Sequence, residues 1–175
     1  MVNLDFQIVL SRYRAGERIF SNVIIHSVDG FECDLRGIDL QRSTLLKAYL
    51  PYGNLSQTKL MNLTIEGGNL GDIKLLSADL TGAKLLDVNL SRADLRYACL
   101  KGATLQGSDL SGADLQGANL MGADLTGANL TGANLHQADL GRTNLGGAIL
   151  FRAAGLDLST AMCDRTTILP DGHYY

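Results

Sequence analysis

The chain has 175 residues, of which 46% are hydrophobic, and a formal net charge of −3. This length suits one domain, and the slight acidity disfavours direct nucleic-acid binding through a basic surface. No apolar run approaches the roughly 20 residues that span a bilayer. The first residues also lack the basic-then-apolar order of a signal peptide. We therefore expect a cytoplasmic protein with no membrane partner.

Residues 3–16 are the one segment with helical spacing. Its apolar residues follow the i, i+3, i+4, i+7 pattern of a single helix face: Phe6, Val9, Leu10 and Tyr13. Asn3 or Asp5 is a suitable N-cap, and Gly16 is a suitable stop. The sequence predicts a short N-terminal helix here.

A row of leucines organises the rest of the chain. Every position divisible by five from Leu35 to Leu150 is leucine, except Ile65. On an α-helix five residues advance about 500°, so these leucines would spiral around the rod. On a flat strand an odd spacing places successive leucines on opposite faces. Short extended segments, each followed by a corner, return every leucine to the same interior, which predicts an all-β solenoid.

The other positions of each five-residue unit have matching roles. The residue two before the leucine is mostly alanine in the regular stretch and points inward, whereas the residue just before the leucine is mostly Asp or Asn and points outward. The two residues after the leucine form the corner. Glycine there permits the positive φ of a type II turn, and it occupies a corner at Gly82, Gly102, Gly107, Gly112, Gly117, Gly122, Gly127 and Gly132.

From Ser77 to Ala148 the chain repeats the motif A(D/N)LXX, as in SADLT, GADLQ and GANLT. In this respect it resembles the pentapeptide-repeat proteins. The resemblance implies four units per square coil and right-handed winding, hence a right-handed quadrilateral β-helix. The segment YRAGERIF is similar to the start of the repeats in small cyanobacterial members.

These observations divide the chain into three parts. Residues 1–17 form the capping helix, which covers the exposed strand edges and apolar side chains of the first coil. Residues 18–152 form the repeat β-helix. Gly30 interrupts the leucine row there, and we expect Phe31 to turn inward and fill the space. Residues 153–175 form a displaced last part-coil and a C-terminal cap.

In the last part, a three-residue insertion after Arg152 shifts the phase. The spacing then resumes with central residues at Leu158, Cys163 and Ile168, and the closing LPDGHYY is expected to turn and fold over the bottom of the coil. Ile149 and Phe151 point outward just before the break. Either this tail or a second molecule covers them, so the protein is a monomer or a dimer through its C-terminal end.

The sequence offers no catalytic or metal-binding constellation. The aspartates recur on outward rows, where bonding to nearby backbone explains them. Three separate histidines and three cysteines share no metal-ligand spacing, and no phosphate-binding glycine motif is present. A leucine-filled interior leaves no substrate cleft. We therefore predict no enzyme, cofactor or metal, and interpret Cys33, Cys99 and Cys163 as reduced thiols.

A non-catalytic scaffold for an unidentified protein partner is the leading functional prediction. Its contact surface is expected where the outward rows depart from the repeated polar pattern, at Tyr49, Pro51 and Tyr52, with Leu46, Leu76 and Leu86 in reserve. The same departures also fit ordinary surface apolar residues.

The alternative rests on the family resemblance. Some relatives mimic DNA and bind a type II topoisomerase such as gyrase. Residues 102–141 contain no Lys or Arg, and their carboxylates would form the acidic face: Asp109, Asp114, Asp124 and Asp139. This density falls short of the one charge per roughly 1.7 Å of a DNA duplex.

Overall fold

The computed structural model describes residues 1–175 as a single parallel solenoid. Its named elements are β1 (Val2–Asp5), α1 (Phe6–Arg14), β2 (Val23–His26), β3 (Thr44–Leu45), β4 (Ala48–Tyr49), β5 (Thr64–Asn69) and β6 (Lys84–Asn89). The strands pair in the order β1-β2-β3-β5-β4, β6 also pairs with β5, and all pairs are parallel.

Each coil takes 20 residues. Leu45 pairs with Ile65, and Ile65 pairs with Leu85. Beyond β6 this register continues as isolated bridges, one on each side of the coil: Asp79 to Cys99, Lys84 to Thr104, Asn89 to Asp109, and Asp94 to Asp114. Four bridges per coil give four sides, so the predicted right-handed quadrilateral β-helix is confirmed.

Leucines fill the interior along the whole length. No member of the row from Leu35 to Leu150 is more than 4% exposed. The space left at the centre of the stack is about 10 Å³, which holds no more than one water molecule. The predicted inward direction of the leucines is confirmed, and the interior has no room for a ligand.

The corners have the backbone conformation that the glycines predicted. All eight corner glycines have φ between +63° and +67°. Sixteen non-glycine residues share this left-handed region, including Tyr52 (φ 60°) and Tyr97 (φ 56°). The leucine core and the stacking therefore hold corners that are unfavourable for an isolated L-residue by roughly 1–2 kcal/mol each.

Two buried serines complete corners by hydrogen bonding across coils. The Ser108 hydroxyl donates to the Leu85 carbonyl (2.7 Å) and accepts the Val88 N–H (3.1 Å). Ser43 makes the same pair of bonds in the first coil, at 3.0 and 3.2 Å. No buried side-chain nitrogen or oxygen lacks a partner.

The N-terminal segment is a strand followed by a shorter helix than the spacing predicted. β1 extends the sheet by pairing with β2, and Asp5 caps α1 by accepting the Gln7 N–H at 2.8 Å. On α1, Phe6 and Val9 are buried at 2% and 0% exposure. The helix thus lies over the first coil, as the amphipathic spacing indicated.

The prediction that Phe31 fills the gap at Gly30 is wrong. Phe31 is 51% exposed, and the Phe6 ring from α1 lies in the gap instead. A Cβ added to Gly30 would lie 2.9 Å from Phe6 Cζ and 2.5 Å from Leu50 Cδ2. A helix distant from Gly30 in the sequence supplies a ring that fits the gap, which leaves Phe31 outside.

The C-terminal part-coil also differs from the prediction. Its third central residue is Leu169, because Ile168 pairs with Ile149 and accepts the Leu150 N–H, as the residue before a central position does elsewhere. Asp164 is the additional residue that shifts the phase, and its carboxylate accepts the Gly147 and Thr166 N–H groups.

The tail forms a turn against this part-coil instead of folding over the bottom. Tyr174 bridges Ile168 in antiparallel fashion, and residues 171–175 are all exposed. Phe151 is 37% exposed and lies beside the turn, where a Cβ added to Gly172 would be 3.5 Å from its ring. The tail therefore covers Phe151 only in part.

No helix is long and apolar enough to cross a membrane.

Candidate interaction surface

Aromatic side chains from two coils meet on one corner of the solenoid and form an aromatic groove of Phe31, Tyr49, Pro51 and Tyr52. The Phe31 and Tyr52 rings pack edge to face, with centroids 5.7 Å apart and planes at 72°. Phe31 and Tyr52 are each 51% exposed and Tyr49 is 42% exposed. The groove has a volume of about 180 Å³. The structure thus brings together the three residues first predicted from sequence.

Stacking explains this juxtaposition. Asp29 bridges Tyr49 directly, and the Glu32 N–H donates to the Pro51 carbonyl at 3.0 Å. Phe31 therefore lies above Pro51, beside both tyrosines. Pro51 is itself buried and forms the floor of the groove rather than an exposed contact.

The lower wall of the groove is polar and its charges are paired. Arg92 donates two hydrogen bonds to the Asp72 carboxylate, from Nε at 2.8 Å and from Nη2 at 2.6 Å. These bonds lower the pKa of Asp72 below its ordinary value, mainly through the hydrogen bond itself. Asn89 Nδ2 donates to Asn69 Oδ1 at 3.0 Å. The wall therefore offers amide groups and a satisfied ion pair.

The reserve leucines lie away from the aromatic groove. Leu46 lines a second groove with Glu66, which pairs with Leu86 in the next coil. Leu76 lies in a third groove, between Arg36 and Arg96. Leu46 is 39% exposed, and Leu76 and Leu86 are partly buried. These leucines do not extend the aromatic surface.

The four carboxylates predicted as an acidic face lie on four different sides of the rod. Asp109 bridges Asn129, Asp114 bridges Asn134, Asp124 bridges Asn144, and Asp139 bridges Asn119. Each pair belongs to a separate column of the square coil. Each aspartate also accepts the backbone N–H two residues further on, at 2.9 to 3.1 Å. The sequence interpretation of these aspartates as backbone-bonding residues is therefore confirmed, and they do not form one face.

A second depression, the helix groove, lies between α1 and the first coil. Its volume is about 420 Å³, and its lining runs from Leu10, Tyr13 and Arg14 on the helix to residues 29–34 on the coil. Phe31 lines this groove and the aromatic groove alike. Sequence reasoning missed the helix groove. The one sign of it in the sequence was the position of Phe31, which lies twenty residues, or one coil, before Pro51.

The surface has neither a metal-binding cluster nor a reactive thiol. No group of three or more His, Cys, Asp or Glu side chains is placed to hold a metal ion. The three cysteines are free, and burial raises the pKa of Cys33 to about 11. That thiol therefore stays protonated near neutral pH and is a poor nucleophile.

The single parallel register, the four-sided coil and the filled interior define a β-solenoid whose accessible surfaces are its sides and ends. Residues 73–112 and 108–147 match the sequence model of the pentapeptide repeats, with eight copies. Residues 73–147 are therefore a run of pentapeptide repeats.

Two solved structures have this architecture. HetL is a pentapeptide repeat protein involved in heterocyst differentiation regulation, from the cyanobacterium Nostoc sp. strain PCC 7120. It is 26% identical, with 98% of this chain and 100% of HetL covered and a TM-score of 0.50. QnrB1, a plasmid-mediated fluoroquinolone resistance protein, is 19% identical, with 93% and 90% covered and a TM-score of 0.56. At that identity the likeness to QnrB1 is one of fold. No curated protein sequence matches significantly.

Proposed function

We propose that the protein is a non-catalytic scaffold that binds a protein partner through the aromatic groove. The observation that carries this proposal is the contiguity of Phe31, Tyr49 and Tyr52, which are each between 42% and 51% exposed. Tyrosine is enriched among the residues that dominate binding energy, and exposed aromatic clusters mark interaction sites.

The aromatic groove also gives a partner one defined position along the rod. Elsewhere the sides repeat small polar residues every coil, so a partner could shift along the rod by one layer of about 4.8 Å with little loss. The aromatic groove occurs once, between the first and second coils. A partner that fits it is fixed in position along the rod.

The likeness to HetL supports binding as the biochemical activity. It extends over 98% of this chain and all of HetL, whose described role is in regulation. A regulatory role exercised through protein contact needs no catalytic centre.

The test combines Tyr49→Ala with Tyr52→Gly, followed by affinity capture from the native cell extract and mass spectrometry. Glycine suits position 52 because Tyr52 has a φ of 60°, so relief of corner strain offsets the lost ring contact and the melting temperature should change little. We expect the double variant to lose the partner that the natural protein captures.

Tyr97→Gly is the matched control. Tyr97 also lies at a left-handed corner, with a φ of 56° and 58% exposure, but it is outside the aromatic groove. It should keep the partner. Retention by the groove variant, or equal loss by both variants, would contradict the proposal.

A DNA-mimic regulator of a type II topoisomerase such as gyrase is the second candidate. The stretch 102–141 without Lys or Arg favours it, whereas the distribution of its four aspartates over four sides weakens it. Inhibition of gyrase supercoiling that is relieved by Asp114→Asn with Asp124→Asn would place this function first. If the protein did not inhibit gyrase, the scaffold function would remain the first candidate.

A further inference from the structure

We infer that the partner lays an arginine- or lysine-bearing extended segment across two adjacent grooves, the aromatic groove and the helix groove, which are together called the cleft. This inference rests on the proposed function and specifies the chemistry of the partner. Phe31 joins the two grooves, so one segment can contact the tyrosines on one side and the carboxylates beneath α1 on the other.

The first observation is the state of Asp29. Sixteen other Asp or Asn residues occupy the position just before a central residue, and every one accepts the backbone N–H two residues on. Asp29 is the exception. Its exposed carboxylate makes no hydrogen bond and no ion pair, and it lines the helix groove. It is therefore free to receive a cation.

Glu32 is the second free carboxylate of the cleft. It is exposed, forms no ion pair, and lies directly after Phe31. Asp34, further along the lining, is already bonded to Arg36 at 2.7 to 3.1 Å. On the opposite wall Arg14 makes no hydrogen bond and no ion pair, whereas the Arg18 guanidinium beside Tyr13 donates to the Tyr13 and Glu17 carbonyls. Two free carboxylates against one free guanidinium leave the cleft complementary to a positively charged segment.

The aromatic rings are the second feature of the cleft that favours a cationic side chain. Three other rings of this protein are covered by arginines of the same chain, with the guanidinium carbon 3.9 Å from the Tyr13 centroid, 5.4 Å from Phe20 and 5.0 Å from Phe151. The rings of Phe31, Tyr49 and Tyr52 have no such cation. Uncovered ring faces next to free carboxylates are the environment in which a guanidinium or ammonium group binds well.

A basic extended segment fits better than nucleic acid or a small molecule. The free carboxylates would repel phosphates, and both grooves are open along the side of the rod. The segment would place one cationic side chain between Asp29 and Glu32 and run across Phe31 toward Tyr52.

The experiment uses the full chain and three labelled homopeptides of equal length, made of arginine, lysine or glutamate, with binding followed by fluorescence anisotropy. The decisive variant is Asp29→Asn with Glu32→Gln, whose carboxylates make no bonds that folding needs. We expect it to weaken arginine-peptide binding by roughly fivefold to tenfold, the range for two exposed charge contacts. Arg14→Gln should strengthen binding, and the glutamate peptide should not bind.

The matched control is Asp114→Asn with Asp124→Asn, which changes the net charge equally but far from the cleft. It should alter binding by less than about twofold, because exposed charges beyond a Debye length are screened. Equal weakening by both charge variants would overturn the inference, since it would show adsorption by net charge alone. An unchanged affinity for the cleft variant would also overturn it.

Partner capture distinguishes failure of the scaffold proposal from failure of the basic-segment inference. If the tyrosine variant loses the native partner while the Asp29 and Glu32 variant retains it, the scaffold proposal stands and the basic-segment inference fails. If the tyrosine variant retains the partner, the scaffold proposal itself fails. If both variants lose the native partner and the cleft variant also binds the arginine peptide more weakly, the scaffold proposal and the basic-segment inference are both supported.

Discussion

The docking of α1 into the gap of the leucine row is testable by a double-mutant cycle on Phe6 and Gly30. The two single variants are Phe6→Ala and Gly30→Ala, and the third is their combination. If the ring and the glycine form one recess, the cost of each change depends on whether the other is present.

The magnitudes follow from the contacts. Phe6 is 2% exposed, so truncation leaves a cavity and should cost about 3–5 kcal/mol. A Cβ on Gly30 would lie 2.5 Å from Leu50 Cδ2, 2.9 Å from Cys33 Sγ and 2.9 Å from Phe6 Cζ. Such overpacking should cost about 1–3 kcal/mol. Without the ring the new methyl fills part of the cavity, so the double variant should be more stable than the sum predicts by about 1–2 kcal/mol.

The assay is urea denaturation of all four proteins, followed by circular dichroism. Ile8→Ala is the control on the same helix, because Ile8 is 49% exposed and its truncation should cost little. Additivity of the two single changes within about 0.5 kcal/mol would refute the reasoning, since it would mean that ring and glycine do not share a recess.

Three further predictions concern the rod itself. Leu105→Ala should cost about 2–5 kcal/mol in urea denaturation, because the stacked neighbours cannot close the void; a loss below 1 kcal/mol would contradict the inward row. Ser108→Ala should cost about 2–4 kcal/mol, since it leaves a buried N–H and a buried carbonyl unbonded. Thr143→Ala should cost less, because the carbonyl that its hydroxyl contacts already accepts a backbone N–H. The hydrogen bond from Arg96 lowers the pKa of Asp94; its contribution to stability is therefore full above the unfolded-state pKa, near pH 4, and is lost as pH falls through the lower folded-state pKa. Asp94→Asn should flatten the stability profile in that acidic range, and an unchanged profile would refute the assignment.

The sequence was most informative where structure is local and repeated. The five-residue phase predicted the inward direction of each leucine, and the corner glycines predicted positive φ at their own positions, although sixteen non-glycine residues share it. The phase failed near Ile168, because one additional residue at Asp164 shifts the register without disturbing the composition. A single insertion in an irregular part-coil leaves no periodic signal by which to detect it.

The candidate site was only half visible in the sequence. Tyr49, Pro51 and Tyr52 are close in the chain, and their departure from the repeated pattern marked them. Phe31 belongs to the same groove, but the sequence analysis assigned it to the core. Phe31 is next to Gly30 in the chain, and nothing in the sequence indicated that Phe6 from α1 fills the gap there. The four aspartates of the predicted acidic face were grouped because they share one position in the repeat. The square coil places them on four different sides.

By itself the sequence determined the solenoid and the direction of most side chains, because each five-residue unit encodes one side and one corner. The 20-residue coil was implied by the family resemblance. Only the tertiary structure decided which side chains become neighbours. α1 places Phe6 in the gap at Gly30 and so leaves Phe31 beside Tyr52, while stacking brings Asp29 next to Tyr49 with its carboxylate unbonded. These contacts join residues about twenty or more positions apart, and no local rule specifies which of several available rings will occupy a shared space.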